Sequence, residues 1–156
     1  MNKKIFIDSD IILDVLAERE MFYESAAEIL DLGSTKKLEL YTTAVVLANV
    51  FYFLRKKCGI EKSKGLLKKL RRIIKVLPID EAMIDSTLES KFGDFEDGLQ
   101  YFSAKENGIP VILTRNIKDY KEKDVAAQTA EEYLRINQHI LLLEEENKKT
   151  KTKTKK

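Results

Sequence analysis

With 156 residues, 44% hydrophobic and 35% charged, the chain is sized for one domain with a real core and is too short for two ordinary ones. Its longest apolar runs, such as HILLL near the end, fall far short of the roughly 20 residues a spanning helix needs, and no charged-then-apolar leader opens the chain, so no membrane partner and a cytoplasmic location are expected. One cysteine, Cys58, and one histidine, His139, exclude an internal disulfide and a zinc site of the usual Cys/His type, which leaves any hydrolytic mechanism to carboxylates, metal and water.

KKIFID is a short apolar run bounded by charge and predicts a buried first strand ending at Asp8. Ser9 or Asp10 can cap a short helix that turns Ile11, Ile12, Val15 and Leu16 inward. A second helix is predicted from about Phe22 to Leu32, stopped by Gly33, and LELYTT reads as a strand. Thr43 can cap a deeply packed helix that ends at Gly59. The segment from Glu61 to about Ile74 is amphipathic, with leucines inward and Lys68, Lys69, Arg71 and Arg72 outward. KVLPI is a short strand, and Asp80 can cap a helix through Leu88. Asp94 begins a helix that Gly108 and Pro110 end. VILT is a buried strand, an extended piece follows near Val125, and a last helix runs from Thr129 to about Ile136.

Strands alternating with helices predict an α/β fold with a mostly parallel sheet of four or five strands flanked by helices. Residues 1–137 form the expected domain, and 138–156 an extension. Its end, EEENKKTKTKTKK, lacks apolar residues and reads as disordered. That end carries six lysines against three glutamates, so the body before it is nearly neutral despite the formal net charge of +2. Charge is nevertheless uneven, with ten Lys or Arg against Glu61 alone between Arg55 and Lys75, an excess that can attract a polyanion.

Three acidic clusters stand after apolar runs or at helix starts: Asp8 with Asp10, Asp94 with Asp97, and Asn116 with Asp119. Parallel strands end on one edge, so such residues can converge in the crevice beyond it. Convergent carboxylates repel, and an oxygen-rich group of this kind suits Mg²⁺ or Mn²⁺. Asp8, followed by the small hydroxylic Ser9, is a candidate metal ligand. Asp97 is the better functional candidate of its pair, with Asp94 as the helix cap and Glu96 solvated. Thr114, Asn116 and Asp119 could bring a hydroxyl, an amide and a carboxylate to the same place, or form a plain turn.

Two families share this pattern. IFIDSD and GDFEDG resemble the acidic motifs of haloacid dehalogenase-like phosphatases, although Asp94 and Asp97 are three apart rather than four. The chain more closely resembles the PIN domain family, which includes VapC-type toxin ribonucleases. FIDSDIILDVLAERE is similar to its opening strand and helix, TTAVVLANVFYFLRKKCG to its central helix, DFEDGLQYFSAKENG to its third acidic motif, and VILTRNIKDY to its closing strand and turn.

The PIN resemblance implies a Rossmann-like, three-layer fold and a Mg²⁺- or Mn²⁺-dependent nuclease acting on RNA. Asp8 and Asp97 match the first and third acidic positions and would be the principal ligands. Asp119 would complete the site with Thr114 and Asn116, and Ser9, Asp10, Asn49 and Asp94 would support it. The chain departs from the family at Asp10, where Asn is common, at Asn49, where many members have Glu, and at Asn116, where many have Asp. Two amides in place of carboxylates weaken the hold on a cation, so a silent module binding RNA or protein is the alternative. Lys64, Lys68, Lys69, Arg71 and Arg72 are candidates for holding RNA. The resemblance further implies an antitoxin partner and a homodimer, with Ile136, Ile140, Leu142 and Leu143 as a candidate interface.

Overall fold

The structure is a computed structural model that describes residues 3–153, and no side chain of 141 or of 144–153 is described. Its strands are β1 (Lys4–Ile7), β2 (Glu39–Thr43), β3 (Ile74–Leu77), β4 (Val111–Leu113) and β5 (Ala126–Gln128). The helices are α1 (Ser9–Leu16), α2 (Glu20–Ser34), α3 (Ala44–Cys58), α4 (Ile60–Leu70), α5 (Glu81–Glu89), α6 (Phe95–Glu106) and α7 (Ala130–Lys153). The sheet order is β3-β2-β1-β4-β5, and every pairing is parallel, with Phe6 opposite Tyr41 on one side and Ile112 on the other. Both neighbours of β1 hydrogen-bond to it, and Ile5, Phe6 and Ile7 are fully buried, as expected for a central strand covered on two faces.

Around this sheet α1 packs against α2 and α3, α3 against α4, α5 against α6, and α2 against α7. Gly33 lies inside α2 rather than ending it. A Cβ there would come within 2.2 Å of Leu40 Cδ1, so the residue that reads as a stop is selected for close approach of helix to strand. Thr43 does cap α3, its hydroxyl accepting from the Val46 N–H at 3.4 Å. That helix is less deeply packed than its sequence suggests: Val46, Val50 and Leu54 are buried, while Tyr52 and Phe53 are exposed. Helix α4 ends at Leu70, because Ile74 is taken by the strand ladder opposite Leu40.

Helix α7 runs well past Ile136, to Lys153. No Gly or Pro follows Pro110 to interrupt it. The expected boundary at residue 138 therefore falls within α7, and 154–156 lie outside the described residues. No helix among the described residues is long and apolar enough to cross a membrane.

Candidate functional site

The strand order reverses at β1, which has β2 on one side and β4 on the other, and a crevice opens beyond the strand ends at such a reversal. Asp8 leaves β1 there and Thr114 leaves β4, with the Asp8 N–H donating to the Leu113 carbonyl at 3.0 Å. Asp8 is 6% exposed. Its Oδ1 accepts from the Ser9 N–H at 2.6 Å and its Oδ2 from the Thr114 hydroxyl at 2.8 Å. Of the three adjacent residues able to cap α1, Asp8, Ser9 and Asp10, it is Asp8 that does so.

One helical step on, Asp10 Oδ2 accepts the Arg115 N–H at 2.8 Å. Its Oδ1 is buried without a hydrogen-bond partner. Burial first, then the charge of Asp8, pushes the Asp10 carboxyl up to about 6.

Helix α6 supplies the opposing acids. Asp94 is its cap, accepting from the Asp97 N–H at 3.0 Å. Asp97, also 6% exposed, accepts from the Tyr120 hydroxyl at 3.1 Å and from the Asn116 amide at 3.5 Å. Burial, then the charges of Asp8 and Asp94, raises the Asp97 carboxyl to about 7, although the Tyr120 bond opposes the shift. Tyr120 is itself held protonated, by burial above all and then by Asp8 and Asp97. Asn116 also donates to Asp119, on the 3-10 turn Ile117–Asp119.

Glu96 is not solvated as its sequence position suggests. It is half-buried, accepts from Asn49 and from Gln100 Nε2 at 3.3 Å, and its carboxyl is raised by burial and then by Asp8 and Asp94. Carboxylates from the end of β1, from α1 and from α6 therefore share one field, and the buried Oδ1 of Asp10 has no donor. This all-oxygen set fits a hard divalent cation. Among the described residues no three acidic, His or Cys side chains close into a preformed cage; hydroxyl and amide donors from Thr114, Tyr120 and Asn116 take up part of the carboxylate capacity.

The PIN domain family model matches residues 4–118, and these span β1 through the turn after β4. The chain belongs to the PIN domain family. It is 30% identical to Ribonuclease VapC1 of Aquifex aeolicus (strain VF5) over 139 residues, 85% of this chain and 94% of that one. The fold is similar to that of a chain in the DNA-bound VapBC structure from Salmonella typhimurium, with TM-score 0.63 and 14% identity over 81% of this chain and 98% of that one. It is likewise similar to a chain in VapBC2 from Rickettsia felis bound to a promoter DNA fragment, with TM-score 0.62, 16% identity and the same coverage. The dehalogenase resemblance of IFIDSD and GDFEDG gives way to this match.

In this PIN domain Ser9, Asp10 and Thr114 gather about Asp8, Asn116 links Asp97 to Asp119, and Asn49 joins through Glu96. The basic set is not gathered there as a whole. Arg71 and Arg72 precede β3 and line a cleft with Gly33, Glu39 and Ile74. They thus lie where strands begin, a strand length of about 13 Å from the acidic edge at ~3.3 Å per residue. Lys64, Lys68 and Lys69 are exposed on α4. Four residues of the crevice escaped the sequence reading as site members: Glu96, Tyr120, Arg115 and Asp14. A carboxylate within the apolar stripe IILDVL was the available signal for Asp14, which is buried and ion-paired to Arg19 and Arg115.

Proposed function

We propose that this PIN domain is a Mg²⁺- or Mn²⁺-dependent ribonuclease and the toxin of a toxin–antitoxin pair. The observation that carries the reading is the convergence of Asp8 and Asp97, from the end of β1 and from α6, in one crevice where the charge of Asp8 bears on Asp97. The relative named Ribonuclease VapC1 supports the substrate class, and the VapBC neighbours support an antitoxin partner.

Asp8 and Asp97 would hold the cation, with Asp119 and Asp10 adding charge; when bound it supplies Lewis acidity toward a phosphoryl oxygen and an acidified water. Thr114 aims Asp8 through its hydroxyl, and Tyr120 aims Asp97. Neither His nor Cys is required. The exposed apolar residues Ile136, Ile140, Leu142 and Leu143 of α7 offer a face for homodimer contact, tested by solution mass after truncation at Arg135.

Purified protein incubated with mixed RNA and Mg²⁺ or Mn²⁺, beside Asp8→Asn and Asp97→Asn, tests catalysis. Metal-dependent cleavage lost in both variants is expected, and equal cleavage by all three proteins sinks the assignment. Asn49 and Asn116 favour a second reading, a silent module; failure to bind Mn²⁺ at millimolar concentration in calorimetry would establish it.

A further inference from the structure

Asp14 lies one turn beyond Asp10 on α1 with its side chain 1% exposed. Its Oδ1 faces Arg19 Nη1 at 3.5 Å, and its Oδ2 faces Arg115 Nε at 3.5 Å. The two guanidinium groups offset part of the cost of burying this carboxylate, although burial still raises it above its ordinary value. Each of those groups also covers an aromatic ring. Arg115 lies 4.3 Å from the centroid of Phe22, and Arg19 lies 5.2 Å from that of Phe53. Both rings reach solvent, at 37% and 40% exposure, and both arginine side chains remain 30% exposed. One buried acid thus anchors two half-open arginine–phenylalanine stacks, contributed by α1–α2 and by the β4 turn and α3.

The position of these stacks ties them to the crevice. Arg115 directly follows Thr114, whose hydroxyl binds Asp8, and the Arg115 N–H binds Asp10. The crevice itself is acidic and repels a polyanion, so a polynucleotide needs cations and stacking surface just outside it. Among the described residues no hydrogen bond engages the terminal nitrogens of Arg115. A planar guanidinium can pair with a phosphate while its face, or the ring beneath it, receives a base.

We propose that the paired stacks Arg115–Phe22 and Arg19–Phe53, anchored on Asp14, form the platform on which single-stranded RNA lies as it enters the crevice. This deepens the ribonuclease reading and rests on it for the identity of the polynucleotide. It assigns RNA binding to the start of α2, to α3 and to the β4 turn in place of the basic surface of α4.

The test is fluorescence anisotropy with a short labelled single-stranded RNA of mixed sequence, in chelator, so that binding is read without cleavage. Phe22→Ala is expected to raise Kd about tenfold, the worth of one base stack, and Phe22→Ala with Phe53→Ala more than either alone. Arg115→Lys keeps the charge beside Asp14 but loses the planar stack, and is expected to weaken binding severalfold; thermal unfolding confirms that each variant is folded. Lys68→Ala with Lys69→Ala is the charge-matched comparison on α4. Unchanged Kd in Phe22→Ala and Arg115→Lys, or a loss confined to the α4 pair, overturns the platform. Loss of antitoxin capture with RNA binding intact also overturns it and assigns the face to a protein partner. Absence of metal-dependent cleavage in wild type, with RNA binding still sensitive to Phe22, removes the ribonuclease reading and leaves the platform standing.

Discussion

The side-chain amide of Asn49 on α3 donates to the carboxylate of Glu96 on α6. The family often carries an acid at the α3 position, and here the amide holds an acid that a neighbouring helix presents. Glu96 feels Asp8 and Asp94, so it can restore charge that Asn49 withholds. Glu96→Gln is expected to weaken Mn²⁺ binding about tenfold in calorimetry, with little change in thermal stability. Equal affinity would remove Glu96 from the metal-facing set.

The Asp97 carboxyl, raised from 3.8 to about 7 by burial and by Asp8 and Asp94, makes stability pH-dependent. The folded protein holds this proton more tightly than the unfolded chain does. The resulting stabilisation is complete below the unfolded value and is lost as pH rises through the folded one. In chelator, the contribution of Asp97 to Tm should therefore fall from about pH 4 to about pH 7, by roughly 2–4 °C for each kcal/mol lost. The contribution of Asp97 to that slope disappears in Asp97→Asn, and Mn²⁺ at pH 8 reverses the fall in wild type. A slope identical in Asp97→Asn would contradict this origin.

Thr114 is fully buried and donates to Asp8 while accepting from the Asn116 N–H at 3.0 Å. Thr114→Val keeps the shape and removes both bonds. Denaturant unfolding should show a loss of about 1–3 kcal/mol, and kcat on RNA should fall more than KM rises, because Asp8 loses its aim. An unaltered kcat in a folded variant would show that Asp8 needs no such support.

Gly98 permits α6 to lie against α5 and the loop before it. A Cβ there would stand 2.5 Å from Thr87 Cγ2 and 3.3 Å from Phe92 Cβ. Gly98→Ala should cost about 1–3 kcal/mol through overpacking, read as a lower urea midpoint with unchanged slope. Phe92 packs edge-on to Tyr120 at 5.9 Å, so the same variant should also lower activity by shifting the Tyr120 hydroxyl on Asp97. A wild-type midpoint would show that the loop yields without cost.

Much of the architecture was written locally. Thr43, Asp80 and Asp94 cap helices as their positions imply, and the apolar runs IFI and VIL became the paired strands β1 and β4. Capping and burial periodicity depend on a few adjacent residues, so a single chain displays them. Gly33 misled because its reason, contact with Leu40, is not local. The end of α4 misled because the β2 ladder claims Ile74.

The site divides along the same line. By itself the sequence singled out Asp8 and Asp97 as the candidate pair, with Thr114, Asn116 and Asp119 as candidates beside them, since each follows a strand or opens a helix. Only the tertiary structure decided which neighbours serve that centre. It turned Glu96 toward Asn49, closed Tyr120 onto Asp97, and set Arg71 and Arg72 at the far edge of the sheet. It also made Asp14 the buried anchor of two arginines. The reason is physical: hydrogen-bond partnership and electrostatic coupling act over a few ångströms between residues that the chain keeps tens of positions apart, and the crossing of α1, α3, α6 and the β4 turn brings them within reach.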